Sequence, residues 1–102
     1  MDKKKAYLSL KKFCLNEGIK LFGVADISGI KKDFIFSKRL LDKVDRAISL
    51  GARLSGGILM EVDKNPTQLY YRNYRALNTL LDITALKLAN LIQDQGFLTI
   101  PI

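Results

Sequence analysis

The 102-residue chain contains no histidine and a single cysteine, Cys14. The first absence rules out histidine general bases and histidine metal ligands. One thiol cannot close an internal disulfide, complete a thiolate zinc site or hold an iron–sulfur cluster from within the chain. Tryptophan is missing, proline occurs twice and no low-complexity stretch or internal repeat is present. No apolar run approaches the ~18 residues a membrane-crossing helix requires. The basic start, MDKKKAYLSLKKF, lacks the continuous apolar stretch of a secretory leader. A reducing, cytoplasmic setting is the expectation. What is present suits a soluble fold: 48% of residues are apolar and 26% charged, too hydrophobic for a disordered chain. The length argues for a single domain over residues 1–102.

Acidic residues are scarce relative to basic ones, 10 against 17, for a net charge of +7. The surplus is one-sided. Residues 1–53 hold 13 Lys and Arg against 6 Asp and Glu, whereas residues 54–102 hold 4 of each. The basic pairs and triplet are Lys3-Lys4-Lys5, Lys11-Lys12, Lys31-Lys32 and Lys38-Arg39. The plainer reading is a solvated face; the alternative is a footprint for nucleic acid or an acidic protein. No aromatics are interleaved with the lysines as a single-strand-binding platform needs, and no helix-turn-helix signature appears.

Along the chain, residues 3–17 place Ala6, Leu10, Phe13 and Cys14 on one helical stripe, and Gly18 stands where a left-handed cap ends a helix. On that stripe Cys14 reads as a small buried apolar residue. Residues 19–27 (IKLFGVADI) and 46–54 (RAISLGARL) read as strands, with Gly51 marking a bulge or a close approach to the backbone. A short helix is expected around residues 37–41 and one or two helical turns over 58–62. Asn65-Pro66 is a helix-start signal. The pattern from there to Gln95 is helical without Gly or Pro, and Gly96 caps it. Tyr70, Tyr74, Leu77, Leu81, Ala85, Leu88 and Ile92 form one stripe of this helix; Ala76, Leu80, Ile83 and Leu91 form another. A helix apolar on most of its circumference is contacted on several sides. Residues 97–100 read as a third strand before Pro101. The expected class is α+β or α/β, a small sheet of about three strands packed with an N-terminal helix and one long central helix. Its apolar surplus implies a partner, with homodimerisation expected.

The densest polar group is Tyr70-Tyr71-Arg72-Asn73-Tyr74-Arg75-Ala76-Leu77-Asn78, in which Tyr71, Arg75 and Asn78 share a helix face. A phenol, a guanidinium fork and a carboxamide can together hold an anionic or amide-bearing ligand. The competing reading is that the aromatics pack on the sheet while Arg and Asn cap loops. The carboxylates Asp26, Glu61, Asp63, Asp82 and Asp94 show no spacing that identifies an acid–base couple. No nucleophile accompanies the Tyr/Arg run, so no catalytic residue is assigned.

Three segments carry a resemblance: LFGVADIS, RAISLGARLS and PTQLYYRNYRALNTLLDITALKLANLIQDQGFLTIPI. Together they resemble the N-terminal region of iron–sulfur proteins related to epoxyqueuosine reductase and, more distantly, to cobalamin-dependent reductive dehalogenases. The similarity runs from about Leu21 onward, with dissimilar sequence around residues 30–45. It implies part of a nitroreductase-type fold that holds cobalamin and precedes a ferredoxin-like part with 4Fe-4S clusters. Ser49, Gly51 and Arg53 match the strand motif, and Tyr71, Tyr74, Arg75 and Asn78 the helix motif; the resemblance makes these seven candidate cofactor-binding residues. The chain has no C-x-x-C-x-x-C run, so the family's clusters and proton donors are expected beyond Ile102. The expected function is therefore an N-terminal domain or short relative of such a reductase, not redox-active alone and completed by a second copy or partner. The alternative is a small basic module that contacts nucleic acid or an acidic protein.

Overall fold

The computed structural model describes residues 3–62 and 67–102. Its elements are helix α1 (Lys3–Asn16), strand β1 (Leu21–Asp26), a single 3-10 turn (Lys31–Asp33), short helix α2 (Lys38–Leu41), strand β2 (Arg46–Gly51), short helix α3 (Gly56–Met60) and long helix α4 (Gln68–Asp94). The chain is mixed α+β, as its pattern indicates.

Helix α1 ends because Gly18 adopts φ +98°, a conformation L side chains resist. The N–H of Ile19 then bonds the carbonyl of Cys14 at 3.1 Å and the N–H of Gly18 that of Leu15 at 3.2 Å. These are the paired bonds of a Schellman cap. Its hydrophobic contact is also present, since Cys14 and Ile19 are both fully buried in the core cluster with Leu88. The cap thus does two jobs: it stops α1 and folds β1 back under it. Leu10, Phe13, Phe22, Ile48, Leu50, Leu80, Leu81 and Ile92 pack around that cluster.

Strands β1 and β2 pair antiparallel, from Leu21 opposite Gly51 to Asp26 opposite Arg46. Strand alternation puts Phe22, Ile48 and Leu50 toward the helices and Gly23, Ser49 and Gly51 on the other face. The register is unbroken, so Gly51 marks no bulge. It marks a close approach instead: a Cβ there would lie 3.0 Å from Cβ of Leu21. At the far end, Asp26 accepts from the hydroxyl of Ser28 at 2.7 Å and its backbone N–H at 2.9 Å. These bonds hold its carboxyl below the usual range, with a smaller contribution from Arg46, 3.2 Å away. Lys31 closes the intervening loop on the carbonyl of Val44 and the carboxylate of Asp45.

Helix α4 is capped by Thr67, whose hydroxyl accepts from the N–H of Tyr70 at 3.1 Å. Asn65 and Pro66, the expected start, lie outside the described residues. At the other end Gly96 has φ +93°, and the Phe97-to-Ile92 and Gly96-to-Gln93 bonds repeat the cap of α1.

The expected third strand differs. Among the described residues the sheet is a two-stranded hairpin, and residues 97–100 pair with neither strand. The Schellman turn sends this segment back along α4, where the hydroxyl of Thr99 bonds the carbonyl of Ala89 at 3.3 Å. Its hydrogen bond thus goes to helix rather than sheet.

Candidate functional site

The first two turns of α4 carry the polar run. Tyr70 sits edge-on to Tyr71, with ring centroids 6.0 Å apart, and stacks on Tyr74 at 6.3 Å. Such aromatic pairs contribute about 0.5–1.5 kcal/mol beyond the area they bury. Tyr71 and Tyr74 are both half exposed, at 57% and 50%, so their phenols remain available to a ligand. Asn73 is committed elsewhere: its carbonyl oxygen accepts from the N–H of Ser55 at 3.1 Å, fastening the start of α3 to α4.

Tyr71 and Arg75 do come together. With Gln68 and Arg72 they line a shallow concavity of about 420 Å³. Neither arginine forms an ion pair among the described residues, and the first turn of α4 carries no acid. Two guanidinium forks, a phenol and a carboxamide beside the positive end of a 27-residue helix favour an anion or a row of amides. Gln68 and Arg72 are site residues that the Tyr71, Arg75, Asn78 spacing overlooks. The signal was present, because positions 68, 71, 72 and 75 follow the i, i+3, i+4, i+7 rule.

The other expected residues lie apart from this concavity. Asn78 borders a different groove, about 450 Å³ and half open, between the hairpin and α4; Phe34, Phe36, Ile48, Leu81 and Ile100 also line it. Tyr74 borders neither hollow. Ser49 and Gly51 occupy the sheet face turned away from the helices, and Arg53 lies exposed beyond β2. Gly51 meets the Leu21 side chain there, which is a reason within the chain for glycine at this position.

No group of three or more Cys, Asp or Glu side chains that could hold a metal occurs among the described residues. Cys14 is fully buried, and burial, aided by the charge of Glu17, pushes its thiol up from the ordinary value. Full burial in the core cluster suits a packing residue. No helix among the described residues is long and apolar enough to cross a membrane. Comparison with family models, curated proteins and solved structures finds no match for this chain.

Proposed function

We propose that the chain is a cytoplasmic cofactor-surface module of the cobalamin-dependent, epoxyqueuosine reductase-like kind, not redox-active by itself and completed by a second copy or a partner. The observation that carries this reading is the shared concavity of Gln68, Tyr71, Arg72 and Arg75, within the segment whose motif resembles that family. A corrin cofactor supplies one-electron cobalt chemistry when bound; the residues here fit only its periphery. Arg72 and Arg75 suit a phosphate, while Gln68 and Tyr71 suit peripheral amides. The concavity is too small to enclose a corrin, so the rest of such a site would come from elsewhere. An iron–sulfur cluster does not fit the described residues, which offer one buried thiol. The two-stranded sheet supports the same reading. A hairpin has two open edges and is marginal alone, and a third strand from a partner would complete a nitroreductase-type layer.

Equilibrium dialysis of the purified chain against aquocobalamin tests this. Saturable binding is expected, weakened about ten-fold or more by Arg75→Ala, the cost of one charged hydrogen bond. Absent binding, or binding indifferent to Arg75→Ala, overturns the reading. The exposed lysines of α1, Lys3, Lys5 and Lys12, support a second one, a basic module for nucleic acid. Binding of a DNA duplex that collapses between low and physiological salt would favour it; no binding at low salt would remove it.

A further inference from the structure

Helix α4 has a second seam. Its buried side carries Leu88 and Ala89, with Leu81 and Ile92 packed beside them. Its outer side carries Leu69, Arg72, Ala76, Thr79, Ile83, Leu86 and Asn90, all exposed. The apolar members Leu69, Ala76, Ile83 and Leu86 fall on the 3.5-residue repeat by which two helices mesh side by side, with the polar Arg72, Thr79 and Asn90 at the intervening positions. Ile83 and Leu86, at the middle of the seam, are 48% and 54% exposed. Neither the hairpin nor α1 covers them.

Charge and area indicate what does. From Ala76 to Asn90 the only charged residues are Asp82 and Lys87, one of each sign on either side of Ile83 and Leu86, and Lys87 is neutralised by Glu17 at 3.1 Å. The middle of the seam, residues 76–90, thus holds one charge of each sign, with Arg72 the one further charge nearer its start, while the basic surplus lies in residues 1–53. Two copies can meet along it without bringing lysine pairs together. The chain exposes 8104 Å², about 2,300 Å² more than a compact monomer of its mass. That surplus is spread over an elongated chain, and it leaves room for the ~800 Å² per partner that a standard stable interface buries.

We infer that the outer face of α4 is a self-association surface, on which a second copy of this chain docks its own Ile83–Leu86 seam about a two-fold axis. The inference rests on the proposed reading in that it names the second copy as what completes the module.

Sedimentation equilibrium from about 1 to about 100 µM tests it, since a reversible dimer responds to concentration. The wild-type chain is expected at twice its 11.5 kDa mass. The double variants Ile83→Glu/Leu86→Glu and Ile83→Lys/Leu86→Lys are each expected as monomers with unchanged circular dichroism. Mixed in equal amounts, they are expected to recover a dimer. A monomeric wild type, or a dimer that survives the acidic double variant, overturns the inference. Should the double variants not fold, Thr79→Glu repeats the test at an exposed polar position, and an intact dimer in it overturns the inference equally. Aquocobalamin binding on the same samples separates the two proposals: a dimer without binding removes the cofactor reading alone, and binding by a monomer removes the seam alone.

Discussion

Thr84 is the side chain most at odds with its surroundings. It is fully buried, and its hydroxyl has no hydrogen-bond partner among the described residues. A buried hydroxyl without a partner costs about 1–3 kcal/mol in lost hydration, which an isosteric methyl would not incur. Thr84→Val keeps the β-branched shape and removes the mismatch. It is expected to stabilise the chain by about 1 kcal/mol, a rise of about 4–8 °C in melting temperature for a domain of this size. Thermal unfolding followed by circular dichroism measures it; a lowered melting temperature would mean that the hydroxyl is satisfied by its own helix, through the carbonyl four residues back. At this scale the sequence was uneven. Cys14 was legible as core because its neighbours at helical spacing are apolar. Thr84 was not, because threonine within a long helix signals neither burial nor exposure. Gly51 was legible only as a bulge or a close approach; the unbroken register removes the bulge, and the approach is made by Leu21 across the hairpin. Tyr71 and Arg75 were legible as a pair, since helix geometry alone brings them together. Ser49, Arg53 and Asn78 depend on how the sheet packs against α4, which local spacing cannot give.

The helix ends were the most legible elements, because the physics that sets them is local. Gly18 and Gly96 both sit at φ near +95°, and each carries the same two cap bonds. The two caps are not equivalent in depth. Ile19, after the first, is fully buried, whereas Phe97, after the second, is 67% exposed. Gly18→Ala adds a Cβ that meets only Leu80 at an ordinary 3.6 Å, so its cost is backbone strain: about 1–2 kcal/mol for an L residue held in the left-handed region. Urea denaturation should show this loss with an unchanged m-value. Gly96→Ala should cost less, because residues past the exposed cap can relax. Equal losses would show that the buried contact of Ile19 contributes nothing to the rigidity of the first cap. The third strand was misread for a related reason. Residues 97–100 have the apolar, β-branched composition of a strand, but strand pairing is non-local. The direction in which Gly96 releases the chain decides it, and here the chain returns along α4.

Across the whole molecule, the uneven charge acts on an extended body. The radius of gyration is 16.4 Å, against about 13 Å for a compact chain of this length. Among the described residues, the ion pairs Lys31–Asp45, Arg46–Asp26 and Lys87–Glu17 each leave at least one partner about half exposed, and such pairs contribute little. With 13 basic against 6 acidic residues, the lysine-rich first half carries a net self-repulsion. In about 10 mM salt the screening length is about 30 Å, which spans two of the molecule's three dimensions, 46 × 30 × 20 Å. Near 0.15 M salt it falls to about 8 Å, and only neighbouring charges still interact. Raising sodium chloride between these limits should therefore raise the melting temperature by several degrees, since screening removes a repulsion that unfolding would otherwise relieve. Sodium chloride in this range is too dilute to strengthen apolar burial appreciably, so the change reports charge. A melting temperature that falls with salt would mean that the ion pairs outweigh the surplus. The basic half would then be internally compensated, leaving less field to attract an acidic partner. A rise confirmed in Lys11→Gln/Lys12→Gln as a smaller rise would assign the repulsion to α1, the same face that the nucleic-acid reading requires.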